Sequence, residues 1–148
     1  MRIIIDILHP AHVHFFKNFY FSMLQRGHSI LVTAREKDRS IDLLSALGIP
    51  FEMISRRGYG FINSVIEYIY RTIRFYITAK KFKPDVLAGI MGPTIAVVGF
   101  FIRCPRYVFY DTEFARITNF FVYPLSTKVI TPSCYKERVG KNHVTYAG

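Results

Sequence analysis

Apolar and polar residues along this chain fall into alternating blocks. Ile3 to Leu8 is a short, β-branched run broken only by Asp6, the pattern of a strand buried on both faces of a parallel sheet. Behind it Val13, Phe16, Phe19, Tyr20 and Met23 recur at helical spacing within His12 to Gln25, and Gly27 ends that helix. The unit then repeats, with Ser29 to Thr33 a second strand, Asp38 to Leu47 a helix closed by Gly48, and Pro50 to Ile54 a third strand. A turn-rich loop, Arg56 to Gly60, leads into a long helix from Phe61 to Lys81. Asp85 to Ile90 is the fourth strand, Gly92-Pro93 opens another helix, and Tyr107 to Tyr110 and Lys128 to Ile130 are the fifth and sixth strands. Strands alternating with helices predict right-handed crossovers and an α/β class fold: a doubly wound, Rossmann-like parallel sheet in one domain over residues 1–148.

On a helical wheel the long helix places Glu67, Arg71, Arg74, Thr78 and Lys81 on one narrow stripe and leaves a very wide apolar face. In a noncatalytic subunit that face would bind a separate catalytic chain, and it has two other open uses. One is core packing together with contact to a partner domain; the other is peripheral docking of residues 61–83 on an anionic membrane through aromatics and Arg71, Arg74, Lys80, Lys81 and Lys83.

Composition narrows the classes. A chain that is 51% hydrophobic and 20% charged folds, and a formal charge of +10 predicts anionic neighbours: phosphate groups, nucleic acid or an acidic lipid surface. Nucleic acid is disfavoured, because the basic residues are spread over several elements and no helix-turn-helix, zinc-finger or RNP signature is present. The longest apolar stretch, Thr94 to Ile102, is far short of the roughly 20 residues that span a bilayer. Arg2 precedes only three isoleucines before Asp6, which is not a signal peptide. Cys104 and Cys134 lack CxxC spacing and are too few for a disulfide framework, so a reducing cytoplasm is expected, with the inner membrane face as a peripheral location.

In an open parallel sheet, ligands bind beyond the carboxyl ends of the strands, where strand order reverses. For the order 3-2-1-4-5-6 that point brings His9-Pro10-Ala11-His12 beside Met91-Gly92-Pro93-Thr94, with Asp111-Thr112-Glu113 and Thr131-Pro132-Ser133 on the same edge. His12, at the start of the first helix, is a candidate base for an acceptor hydroxyl or a capping residue. Asp111 and Glu113 are candidates for proton transfer or for holding sugar hydroxyls, and also offset the next helix's dipole. Gly92, Pro93 and Thr94 offer backbone N–H groups to an anion. The first loop lacks GxGxxG and P-loop patterns, which disfavours NAD or ATP, and His9, His12 and His14 lack the i, i+4 spacing of helical metal ligands.

Asp6 to Phe16, Arg26-Gly27-His28, Val32 to Glu36, Lys83-Pro84-Asp85, Gly92-Pro93-Thr94, Asp111 to Ala115, and Asn119 through Pro124-Leu125 to Pro132 together resemble the glycosyltransferase-like domain-of-unknown-function family 354. This chain departs from the family pattern at Ala11, Phe114, Phe120 and Ser126-Thr127. The resemblance implies the N-terminal, acceptor-side half of a GT-B type two-domain fold, with a C-terminal donor-binding domain of the same protein following the linker near Tyr146-Ala147-Gly148. His12-Val13 resembles the first loop of the lipid-linked N-acetylglucosaminyltransferase of peptidoglycan synthesis, and Asp111 to Ala115 is similar to a segment of UDP-N-acetylglucosamine 2-epimerases that carries a functional glutamate. What this implies is a metal-independent, cofactor-free glycosyltransferase acting on a nucleotide-sugar and a sugar or lipid-linked acceptor, or an epimerase-like enzyme. His12, Asp111 and Glu113 would be its catalytic residues, and His9, Gly92, Pro93, Thr94, Thr112, Asn119, Thr131 and Ser133 its substrate contacts.

Overall fold

In the computed structural model, which describes residues 1–111, 116–137 and 139–147, seven parallel strands form one sheet in the order β3-β2-β1-β4-β5-β6-β7. The strands are β1 (Arg2–Ile7), β2 (Ser29–Glu36), β3 (Phe51–Arg56), β4 (Val86–Ile90), β5 (Arg106–Phe109), β6 (Lys128–Pro132) and β7 (His143–Tyr146). Between them run α1 (Pro10–Gln25), α2 (Ser40–Ala46), α3 (Phe61–Phe82), α4 (Pro93–Phe101) and α5 (Arg116–Leu125). The α/β class, the doubly wound topology and the reversal of order between β1 and β4 agree with the sequence reading. β7 was not anticipated. It is an edge strand with no buried residue, so its four residues carry no core pattern and pairing to β6 defines it. Helix α1 starts two residues earlier than expected, because His9 accepts the Ala11 N–H and Pro10 occupies the first turn, where its missing N–H costs nothing.

Period-two alternation sorts the core onto the two faces of the sheet. Ile3, Ile5 and Ile7 pack with Val13, Phe16 and Tyr20 beneath α1, whereas Ile4 packs with Phe75, Ala79 and Ile95 beneath α3 and α4. On the α1 side an apolar trough of about 400 Å³, lined by Phe15, Phe19, Tyr107, Phe109 and Ile130 among others, lies over the strands beyond β1.

The long helix packs with the opposite side inward from an ordinary amphipathic helix. Its buried residues are Arg71, Phe75, Thr78 and Ala79, while Ile62, Ile66, Ile69, Ile73 and Ile77 are exposed. The cause lies in the sheet. Asp6 is 1% exposed near the carboxyl end of β1, and a buried carboxylate needs a cation and donors. Arg71 Nη2 donates to Asp6 Oδ1 at 2.5 Å, Thr33 Oγ1 donates to the same oxygen at 2.7 Å, and Arg71 Nη1 donates to Ser55 Oγ at 3.2 Å. Ser55 in turn donates to Glu67, which also receives Arg35, and Thr78 donates to Glu52. A polar row on β1, β2 and β3 thus draws in Glu67, Arg71 and Thr78 of the polar stripe of α3, while Arg74 and Lys81 stay exposed. This corrects the expected surface role of Arg71: it is a buried ion-pair residue and unavailable to lipid.

Cys104 is buried and donates to the Pro84 carbonyl, and burial pushes its thiol up to about 11, whereas Cys134 is exposed. Native protein at neutral pH should therefore react with a maleimide at one thiol, Cys134, and release the second only on denaturation, as mass spectrometry would show.

Candidate functional site

The carboxyl ends of β1 and β4 diverge into α1 on one face of the sheet and α4 on the other, which makes this the switch point where open parallel sheets form a ligand crevice. β1 and β5 flank β4, so the tips of these strands stand about 10 Å apart, two strand spacings. At the floor a Cβ on Gly89 would come within 3.2 Å of the Asp6 carbonyl and 3.1 Å of Ile95, and one on Gly92 within 2.9 Å of Ile95. The backbone at these positions admits no side chain without displacement. Met91, with φ of 47°, sits in the left-handed region, which costs a non-glycine residue about 1–2 kcal/mol. Such outliers concentrate where a loop must hold a functional shape, and no composition signal marks this one. Gly92 caps α4 without a side-chain acceptor.

His12 is 8% exposed and lies on the first turn of α1. Its Nδ1 accepts the Leu8 N–H at 3.2 Å, which leaves Nε2 as the protonated nitrogen of the neutral ring. Burial lowers its pKa to about 4, against opposing pulls from Asp6 and Asp111 and a further push from His9 and Lys37. Asp111, exposed at the end of β5, is thus close enough to act on the His12 ring, so the first and fifth strand tips share one electrostatic environment. His9 is exposed, 6.2 Å from His12 between ring centroids, and its Nε2 lies 3.7 Å from Asp38.

The neutrality of His12 is linked to stability. Its folded pKa lies below the ordinary 6.5, so the unfolded chain takes up this proton first as pH falls. The contribution is intact above pH 6.5 and is lost progressively down to about 4, in all about 3 kcal/mol. Urea unfolding between those limits should show wild type losing about 3 kcal/mol more than His12→Gln.

The other sequence candidates divide. Gly92 is buried, Pro93 half-buried and Ser133 exposed. Thr94 is 2% exposed, beneath the surface. Thr131 is fully buried and bonded to His143 Nε2 at 2.8 Å, and Asn119 is buried with its amide donating to Glu137 at 3.0 Å. All three side chains are buried, Thr131 and the Asn119 amide nitrogen bond within the domain, and the Asn119 amide oxygen is buried without a partner among the described residues. Thr112 and Glu113 lie outside the described residues. Among the described residues no three His, Cys, Asp or Glu side chains converge as metal ligands. Two groups escaped sequence reasoning. One is the ion network of Asp6 and Arg71 below the crevice, signalled by a lone carboxylate in an apolar strand. The other is the stack of Tyr110, Tyr123 and Tyr135 near Glu137, in which the Tyr123 and Tyr135 hydroxyls lie 2.6 Å apart.

The family model described as "Protein of unknown function (DUF354)" matches residues 1–144. The chain belongs to this family. No curated protein is significantly similar in sequence. Among solved structures, MurG from Acinetobacter baumannii superposes with a TM-score of 0.74 at 18% identity, covering 98% of this chain and 45% of MurG. UDP-GlcNAc 2-epimerase from Neisseria meningitidis, bound to UDP-GlcNAc, gives 0.70 at 10% identity, covering 89% of this chain and 40% of the epimerase. The glycosyltransferase SsfS6 from Streptomyces sp. SF2575 gives 0.66 at 14% identity, covering all of this chain and 56% of the transferase. The DUF354 chain therefore has a Rossmann-like fold shared by GT-B glycosyltransferases and 2-epimerases, and it spans about half the length of the structures it matches.

Proposed function

We propose that this DUF354 chain is the acceptor-side half of a GT-B type glycosyltransferase, with a donor-binding half in the same protein. The observation that carries the reading is a buried, neutral His12, fixed by the Leu8 N–H, at the switch-point crevice within electrostatic reach of Asp111. Solved relatives of this fold handle sugar nucleotides, one of them holding UDP-GlcNAc. The acceptor hydroxyl attacks the anomeric carbon of the donor, the bond from that carbon to the nucleotide diphosphate breaks, and the hydroxyl proton passes to a carboxylate. Asp111 and Glu113 are the candidates for that base. His12 is a better donor than base, because shifting its proton to Nδ1 would set two N–H groups against each other at Leu8. Its Nε2–H holds an acceptor or donor oxygen instead, a fixed dipole in a partly dry site. His9 and Ser133 flank the crevice as exposed contacts, and the α4 N-terminus at Gly92 faces developing negative charge favourably. No cofactor is needed beyond the sugar nucleotide as substrate.

Incubating the protein that carries this chain with UDP-GlcNAc in deuterated water tests the reading. Release of UDP without deuterium at the sugar C2 supports a transferase. Exchange at C2 without an acceptor moves the assignment to an epimerase, and an unaltered UDP-GlcNAc with no measurable binding removes this sugar nucleotide as the donor.

A further inference from the structure

The outward side of α3 combines two features that rarely coincide on a water-facing helix. Ile62 is 73% exposed, Ile66 59% and Ile73 55%, and Ile69 and Ile77 continue the row along the helix. Beside it, the end of α4 leaves Phe101 72% exposed, and a groove of about 410 Å³ lined by Ile73, Tyr76, Val97 and Phe101 joins the two helices into one apolar surface. Apolar patches of this extent mark binding surfaces. The charge around the patch has one sign. Arg74, Lys80 and Lys81 flank it on α3, and the single acid of that helix, Glu67, is turned inward to Arg35 and Ser55. At the lower end a cleft of about 600 Å³ is lined by Lys80, Lys83 and Arg103, and its one acidic residue, Asp85, accepts the Arg2 N–H.

We propose that this surface docks on an anionic phospholipid bilayer, with α3 lying in the membrane plane. The isoleucine row enters the boundary between headgroups and acyl chains, and Lys80, Lys83 and Arg103 receive lipid phosphates. The mode is peripheral, since among the described residues no helix is long and apolar enough to cross a membrane. Charge decides among occupants. A second copy of the chain would bring the same positive rim and no outward acid on α3 to meet it, whereas an acidic lipid surface complements both the rim and the net charge of +10. The buried ion pair of Arg71 with Asp6 sets the orientation, because it locks the Arg71 side of α3 against the sheet and turns the isoleucines outward. The first turn of α3 follows β3, so it stands at the same edge of the sheet as the crevice, and docking along α3 brings that edge to the membrane.

Flotation of the full protein with vesicles of phosphatidylglycerol and phosphatidylcholine, and of phosphatidylcholine alone, tests this. Partition should be at least about tenfold stronger onto the anionic vesicles and should fall as salt rises. Ile66→Ser/Ile69→Ser/Ile73→Ser should reduce it at least about tenfold, and so should Lys80→Gln/Lys83→Gln/Arg103→Gln, with circular dichroism unchanged in both because the altered side chains are exposed. Absence of binding, equal binding to both vesicles, or binding indifferent to these substitutions overturns the proposal. So does a vesicle-independent dimer that the isoleucine variant dissociates, which would assign the face to self-association.

Discussion

Replacing Arg71 with methionine should lower the unfolding free energy by about 3–5 kcal/mol, a large share of the stability of a domain this size. The substitution keeps most of the side-chain volume but leaves the Asp6 carboxylate buried with, among the described residues, only the Thr33 hydroxyl as donor. Much of the loss belongs to the stranded charge, so the double variant Asp6→Val/Arg71→Met should recover most of it, since apolar replacement of a whole buried pair is often neutral. Guanidinium unfolding of the two variants measures both numbers. Equal losses in single and double variants would mean that the arginine acts through packing alone.

The second large effect concerns turnover. In the intact protein His12→Ala should lower the rate of sugar-nucleotide turnover about 10² to 10³-fold, the range for losing one preorganised donor at a developing oxyanion. Asp111→Asn should lower it about 10² to 10⁴-fold if that carboxylate takes the acceptor proton, with substrate affinity little changed. His12→Gln keeps an N–H donor and should retain part of the activity that alanine loses. Rates and KM values for the three variants separate the donor role from a base role, in which glutamine would rescue nothing.

Most of the architecture was legible because its signals are local. Apolar runs such as Ile3 to Leu8, helix-ending Gly27 and Gly48, and Pro93 in the first turn of α4 each act through the chain's own geometry, and together they define six strands and the switch point. What escaped depends on distant partners. Nothing in His143 to Tyr146 announces a strand until β6 offers its edge. The facing of α3 could not be read from its wheel, which assumes that the apolar side goes inward; the polar row of Asp6, Thr33 and Ser55 overrides that assumption, and those residues come from three different strands. Asp6 itself was visible as an interruption, and a carboxylate in a doubly buried strand is a reason to look for a cation.

The site was legible as an edge and less so as a set of roles. Strand order alone puts the loops that carry His12 and Asp111 at one edge of the sheet. The bond from the Leu8 N–H to His12 Nδ1 arises from how residues 8 to 12 turn into α1, and it changes what the imidazole offers a substrate. Thr94, Asn119 and Thr131 sit in polar loops or family motifs, and their burial, which depends on the elements packed over them, could not be read from those motifs.

The proposed site requires the first and fifth strand tips to face one another across the switch point. An NMR titration of the His12 ring in wild type and in Asp111→Asn measures that most directly. The structure predicts a wild-type pKa near 4 that falls further when the Asp111 charge is removed. A His12 that titrates near 6.5 and ignores the Asp111 substitution would contradict it.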